Sequence, residues 1–451
     1  MENYIFSENF NKVHFIGAGG ISMSGLIKHL VSLGKTVSGS DLCKNSITEQ
    51  LESIGVKMYY KHSAENVKDA DAVVYTSAIA DDNAELIQAK NLGVPLIKRS
   101  QLLGAIIGRF NKSVAVSGSH GKTTATAMIA NVLNTAKKSP TVFLGGEYKD
   151  YGNYLKGDQN FVVAEACEFK KNFLDIKADV SVVLNIDTDH LDCYKGIKDM
   201  TASFRAFVGN SLAVINADDK NSRGIFNSTT VTFGIEKLAT YMAKKIKFTE
   251  KGYSFTAYAH GLPLGRINLN IAGRHNIYNA LACLAACDLL GVPFKYVKEG
   301  VESFCGVKRR NEYLGDFNGL KTYADYAHHP KELSATLKTF SENESSFITV
   351  FQPHTYSRTE ILIDDFVSVL KDCTPLIIYK TYAARERYKK IGSAKYLFEK
   401  IKECSGDNVY YADTPESLKI IIENLKSDYK TAVFLGAGDI YDIVKSFLDK
   451  N

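Results

Sequence analysis

Residues 116–128 read VSGSHGKTTATAM, and their centre has the residue types of a phosphate cradle. The apolar run SVAVSG reads as a strand and GKTTATAMIANVLNTA as a helix. A strand that feeds a glycine turn opening a helix leaves unpaired backbone N–H groups and a partial positive charge, where an anion is stabilised. Gly118 and Gly121 let the backbone wrap close to phosphate oxygens without a Cβ clash. Lys122 would lie against the β- and γ-phosphates, and the Thr123 hydroxyl would join a Mg²⁺ shell. The spacing is the shortened G-x-x-G-K-T, with Val116 where the longer loop has its first glycine. Alone it is less specific, and a glycine turn with a solvated lysine is the plain alternative.

Further chemistry sits at strand tips. Glu165 and Glu168 follow NFVVA, and His190 follows VVLNIDTD. In a parallel sheet such tips gather beside the loop. A hydroxyl, a carboxylate and phosphate oxygens suit Mg²⁺, whereas His190 is an unusual donor for that ion. A second glycine turn, FIGAGGISMSG at 15–25, reads G-x-G-x-x-S, so Ser22 replaces the third glycine of the dinucleotide fingerprint. The next strand, TVSGSD, ends in Asp41, placed to contact a nucleotide.

The elements that must position these groups alternate strand and helix in three stretches. VHFIGAG, TVSGSD, DAVVYTSA and VPLIKR are separated by helical patterns such as MSGLIKHLVSLG. A second stretch starts near Lys112 and adds KIKFTEKGYSFTAY and LPLGRINLNI, which alternate by two and predict antiparallel hairpins. A third starts near Lys308 with LKTYADYAHH, FITVFQPH, TPLIIYKTYA, NVYYAD and TAVFLGAGD. The expected fold is α/β in three domains. These are a Rossmann-like 1–107, a P-loop ATPase-like 108–307 with a parallel sheet plus a small antiparallel one, and a Rossmann-like 308–451.

Composition fits this. The 451 residues are 45% hydrophobic and 23% charged, too long for one core and ordinary for a globular protein. A net charge of +5 is too mild to imply nucleic acid and suits small anionic substrates. The start lacks a signal-peptide pattern, and NALACLAACDLLGV is too short to span a bilayer and carries Asp288. Eight cysteines form no Cys-x-x-Cys pair; Cys283 and Cys287 read as core thiols in a reducing compartment, with the cytoplasm as the expected location.

GSHGKTT, EACE and NIDTDHLD, in this order, resemble the Mur ligases, which build the peptide of bacterial cell-wall precursors. FIGAGGISMSG, AGRHNIYNALA, VKRRNEY, YADYAHHP, FQPHTYSRT, YAARE and LGAGDI resemble the member that adds the first amino acid, and the matches span residues 13 to 440. The resemblance implies an ATP- and Mg²⁺-dependent enzyme joining L-alanine to UDP-N-acetylmuramate, as a monomer or dimer. The alternatives are a recycling ligase that attaches a whole tripeptide and a non-catalytic nucleotide-binding protein of the same fold.

It further implies that Gly17, Gly19 and Gly20, with Ser22, Met23, Ser24 and Asp41, hold UDP rather than NAD. ATP would lie on Gly118, Ser119, His120, Gly121, Lys122, Thr123 and Thr124, with its base against Asn276 and Asn279; Asn276 is also a plausible helix cap. Thr123, Glu165 and His190 would serve the metal sites, and Arg310 would reach the γ-phosphate with its planar fork. Lys122, His190 and Arg310 are thus the expected catalytic groups. Asp325 would hold the ribose, and His328, His329, His354 and Arg358 would face the muramoyl carboxylate and the incoming alanine. The chain departs from the family at Cys167, Ala327 and Asn311. Arg205 stands where sister ligases for later amino acids carry a carbamylated lysine, which fits the alanine-adding group.

Overall fold

The structure is a computed structural model. It describes the chain except residues 1–4, 8, 188–192, 250–251, 343–345, 385 and 450–451. Three sheets carry it, and the chain divides into two compact units: 1–271 with 276–305, and 272–275 with 306–451.

The first sheet has five parallel strands. Lys12–Ile16 lies in the middle, paired with Thr36–Ser40 on one side and Ala72–Tyr75 on the other. Strand order therefore reverses at the carboxyl end of Lys12–Ile16, the place where an open α/β sheet forms a ligand crevice. The glycine turn begins there. From Val13 to Ile16 the strand is buried, and its one polar side chain there, His14, lies 2.9 Å from Ser38 Oγ.

The second sheet has ten strands, and its switch point is Lys112–Ser117, which pairs in parallel with Phe161–Glu165 and Val180–Val183. The phosphate-type loop leaves from that strand. Tyr241–Thr249, Gly252–Ala259 and Leu262–Asn268 are antiparallel, as their alternation predicts. They continue the large sheet instead of forming one of their own, because Tyr241 and Met242 pair in parallel with Phe233 and Gly234. Within the first unit the two sheets share one apolar core, in which Phe15, Leu102, Phe173 and Phe204 are fully buried. The helix Arg99–Ile107 joins the two sheets: a Cβ on Gly104 would fall 2.0 Å from the Asp175 carbonyl oxygen, so only glycine allows this approach.

The third sheet makes the second unit, with five parallel strands and the antiparallel edge strand Glu312–Phe317. Thr141–Tyr148 and Thr230–Gly234, inside the large sheet, escaped the sequence reading, as did three edge strands: Lys57–Tyr59, Gly152–Leu155 and Glu312–Phe317. The edge strands are short and half-exposed, so they lack the apolar run or the strict alternation that marks a strand. Among the described residues no helix is long and apolar enough to cross a membrane.

Candidate active site

In the first unit, the loop after Lys112–Ser117 closes on Gly121. That residue has φ +85° and precedes the helix Lys122–Thr135. Any side chain there would be strained, and a Cβ would also meet Asn279 Oδ1 at 2.8 Å. Asn279 in turn donates to Asn276 Oδ1 at 2.9 Å, and both are buried. The two asparagines named from the sequence therefore sit against the loop. Asn276 is not the helix cap, because the helix already starts at His275.

The loop is clipped by Asn185 and Asp187, in the stretch that the sequence flagged for His190 and not for these two residues. The Asn185 side chain accepts from His120 N–H (2.8 Å) and donates to His120 C=O (3.0 Å). Ser119 N–H donates to Asn185 C=O, and the Ser119 hydroxyl accepts from Asp187 N–H at 2.8 Å. The His120 ring lies 3.8 Å from the Asp187 carboxylate. Ser119 and His120 are thus held mainly by their own fold, and Thr124 is buried in the first turn of the helix.

Lys122 is partly buried and bends into the loop. Its ammonium donates to the carbonyls of Gly118 (2.7 Å) and Ser119 (3.2 Å) and to Glu168 at 3.1 Å. Burial opposes the charge, but Glu168, with Cys167 and Glu165, outweighs it and holds the ammonium above the ordinary lysine range. The lysine is a fixed cation whose donors already point where phosphate oxygens would replace the carbonyls. Beside it the Thr123 hydroxyl donates to Glu165 Oε2 at 2.8 Å, and Gly145 N–H donates to the same oxygen at 2.9 Å. A Cβ on Gly145 would stand 2.7 Å from both Glu165 oxygens, so this glycine is required for the carboxylate to reach the loop. A hydroxyl and a carboxylate together are hard oxygen donors that fit Mg²⁺, which takes few protein ligands and fills its shell with water and phosphate. His190 lies outside the described residues. Among those residues no cluster of three His, Cys, Asp or Glu could hold a metal alone.

The first glycine turn is built differently. Gly17, at φ +83°, and Ala18 donate to Ser40 C=O, and Gly20 precedes the helix Ile21–Ser32. Asp41 accepts from Gly19 N–H (2.9 Å) and Leu42 N–H (2.8 Å). This aspartate therefore holds the turn first, before any contact with a nucleotide. Met23 and Ser24 correct the sequence reading. Their side chains are buried and their N–H groups donate to Gly20 C=O, so they support the turn and present nothing to a ligand. Ser22 stays partly exposed.

In the second unit, Arg310 lies 5.2 Å above the Tyr326 ring. Asp325 is buried and accepts from Asn311 N–H and Ala327 N–H, both at 2.8 Å. Burial raises its pKa against the pull of Arg310 and these donors. A ribose would find this carboxylate already committed to the turn that carries Arg310. His328 Nδ1 donates to Tyr326 C=O (3.0 Å), and its ring lies 5.7 Å from that of His354. His354 stacks on Tyr382 and lies 3.2 Å from Arg358 Nη1. Burial, then His328 and Arg358, lower its pKa to about 4, so it is a neutral acceptor for the guanidinium. His329 departs from its expected role: it is buried and caps the helix Pro330–Ser341 through Lys331 N–H. Three of the four groups expected at the alanine site are therefore together, and the fourth is structural. Arg205, for its part, donates to Gly224 C=O.

Comparison with known proteins agrees with this geometry. Residues 12–111 match the model described as Mur ligase family, catalytic domain; 116–287 match the Mur ligase middle domain; 309–438 match the Mur ligase, glutamate ligase domain. The chain is 44% identical to the UDP-N-acetylmuramate–L-alanine ligase of Acetivibrio thermocellus, covering 97% of this chain and 96% of the relative. It is 41% identical to that of Caldanaerobacter subterraneus, covering 98% of each. Among solved structures it is similar to a UDP-N-acetylmuramate-alanine ligase from Thermotoga maritima, with TM-score 0.84, 31% identity and coverage of 97% and 98%. A murein peptide ligase from Psychrobacter arcticus shares the fold at TM-score 0.70 and 21% identity. The loop, the order of the three matched regions and the full-length similarity lead to one conclusion: the chain belongs to the Mur ligase family.

Proposed function

We propose that this protein joins L-alanine to the carboxylate of UDP-N-acetylmuramate at the expense of ATP, in peptidoglycan precursor synthesis. The observation that carries the reading is the loop of 118–124, whose lysine is held charged by Glu168 and whose threonine is bonded to Glu165. The full-length similarity to alanine ligases supports the choice of amino acid over the tripeptide.

A carboxylate resists an amine because its charge repels the nucleophile and oxide is a poor leaving group. Transfer of the γ-phosphoryl group from ATP to the muramoyl carboxylate gives an acyl phosphate and removes both obstacles. The alanine amine then forms the amide and phosphate departs. Lys122 would offset the repulsion between ATP and the carboxylate, and Arg310 would reach the same phosphate with its fork. Mg²⁺ held by Thr123 and Glu165 would supply further charge neutralisation of the phosphates. Gly17, Gly19 and Gly20 would hold the UDP diphosphate by backbone approach. In the second unit His328, His354 and Arg358 would receive alanine, with the Arg358 guanidinium, held on His354 through Nη1, pairing with its carboxylate. Residues 1–107, 108–307 and 308–451 would divide these tasks as the sugar-nucleotide, ATP and ligase domains.

The test is ADP release with UDP-N-acetylmuramate and a panel of acceptors. L-alanine should give turnover and the tripeptide should not. ADP release with the tripeptide alone would move the protein to recycling, and none with any acceptor would remove the ligase reading.

A further inference from the structure

Between the two glycine turns of the first unit lies a cavity of about 30 Å³. Leu26, Leu103 and Phe143 give it apolar walls, and Ser22, Arg99 and Glu165 bring polar ends to it. Ser22 belongs to the helix start of the first turn, and Glu165 is the carboxylate bonded to Thr123. The cavity therefore connects the place where a sugar nucleotide would be held to the place where phosphoryl transfer would occur. It has room for a small polar group, not for a sugar.

Arg99 is the cation of this cavity. It opens the helix Arg99–Ile107, which is anchored when Ser100 Oγ donates to Asp175 Oδ2 at 2.6 Å. Gly104 seats the same helix against the Asp175 carbonyl. The guanidinium thus stands on a rigid element. Among the described residues no hydrogen bond or ion pair reaches it. A partly buried arginine without an anion, facing a carboxylate across an apolar-walled space, is an incomplete arrangement. A second anion entering beside Glu165 would be repelled unless a cation received it, and a planar fork is the matching receptor for a carboxylate.

We infer that Arg99 is the first unit's receptor for the muramoyl carboxylate, holding it between the two glycine turns for phosphorylation. This rests on the ligase reading above. It adds a contact made by the first unit, distinct from the histidines and arginine of the second.

The test is calorimetric binding of two sugar nucleotides to the full-length protein with a non-hydrolysable ATP analogue present. UDP-N-acetylmuramate carries the lactyl carboxylate, and UDP-N-acetylglucosamine lacks it. Arg99→Ala should weaken the first about 10- to 100-fold and leave the second within about twofold. Arg99→Lys should recover part of the loss. Binding of the ATP analogue by each variant reports an intact fold, and Arg99→Gln serves if the alanine variant does not fold. Equal loss for both sugar nucleotides would assign Arg99 to the diphosphate and overturn the inference. So would unchanged binding of both. If the unsubstituted protein binds no UDP-N-acetylmuramate, the ligase reading itself fails, which is a different result.

Discussion

The two glycine turns of the first unit share a plan and differ in charge. Each leaves a strand that is paired in parallel on both sides, at the point where strand order reverses, and each opens a helix. The turn at 17–20 is closed by an aspartate that takes the Gly19 N–H. The loop at 118–121 is closed by a partly buried lysine balanced on Glu168, with a second carboxylate bonded to the threonine that follows. A cradle that only holds a diphosphate can rely on backbone approach. One that must steady a migrating phosphoryl group needs a fixed cation and a place for a metal. On the proposed function, one architecture would serve a holding site and a reacting site, with the side chains around each turn setting the difference.

The strongest way to break this contrast is Lys122→Ala. ATP turnover should fall by about 10³-fold or more, while calorimetric binding of UDP-N-acetylmuramate changes little. A variant that still turns over ATP would erase the distinction. Gly145→Ala comes next. Its Cβ would displace the Glu165 carboxylate, and a displacement of that size lowers kcat by about 10²-fold. The Mg²⁺ concentration needed for half-maximal rate should rise with it. An unchanged Mg²⁺ dependence would detach Glu165 from the metal.

On the holding side, Gly19→Ala places a Cβ 2.8 Å from Asp41 Oδ2. UDP-sugar affinity should drop about tenfold, or 1.4 kcal/mol, with kcat at saturation preserved. A loss of kcat with normal affinity would mean that the turn takes part in chemistry.

The smallest effect concerns Glu85, behind the first turn. It is fully buried and accepts from Ser40 Oγ (2.7 Å), Asn66 Nδ2 (2.6 Å) and the His62 ring (2.6 Å). Ser40 also supplies the carbonyl that holds Gly17 and Ala18. Burial would raise the Glu85 pKa, but the bonds from His14, Asn66 and Ser40 outweigh it and bring it to about 2. Below its ordinary value of 4.5 the unfolded chain takes up the proton first. The stability this group contributes is therefore complete above pH 4.5 and is lost as pH falls toward 2. Thermal unfolding of Glu85→Gln between pH 5 and pH 3 should show a shallower acid slope than the unsubstituted protein. An identical slope would separate Glu85 from acid stability.

Much of this was legible from the chain itself. Gly118, Gly121, Lys122 and Thr123 act through local geometry, since a strand, a turn and a helix start lie within ten residues. Glu165 and Glu168 were legible as tips of an apolar run, because parallel strands bring their ends to one edge. His329, Met23 and Ser24 were misread for one reason: motif position does not say which way a side chain turns. His329 was drawn into capping, and the helix period carried Met23 and Ser24 inward.

The sequence by itself determined the turns, the helix that follows each, and the place of Lys122 and Thr123 at the start of the second helix. Only the tertiary structure decided what surrounds them. Asn185 clips His120 from 65 residues away, and Gly145 meets Glu165 across 20. Arg99 reaches the cavity beside Glu165 from another sheet's final helix. Such pairings follow from sheet register and from the close seating of a helix on its neighbour at Gly104. No local pattern encodes them, because they depend on distances between elements that the backbone of each element leaves unspecified.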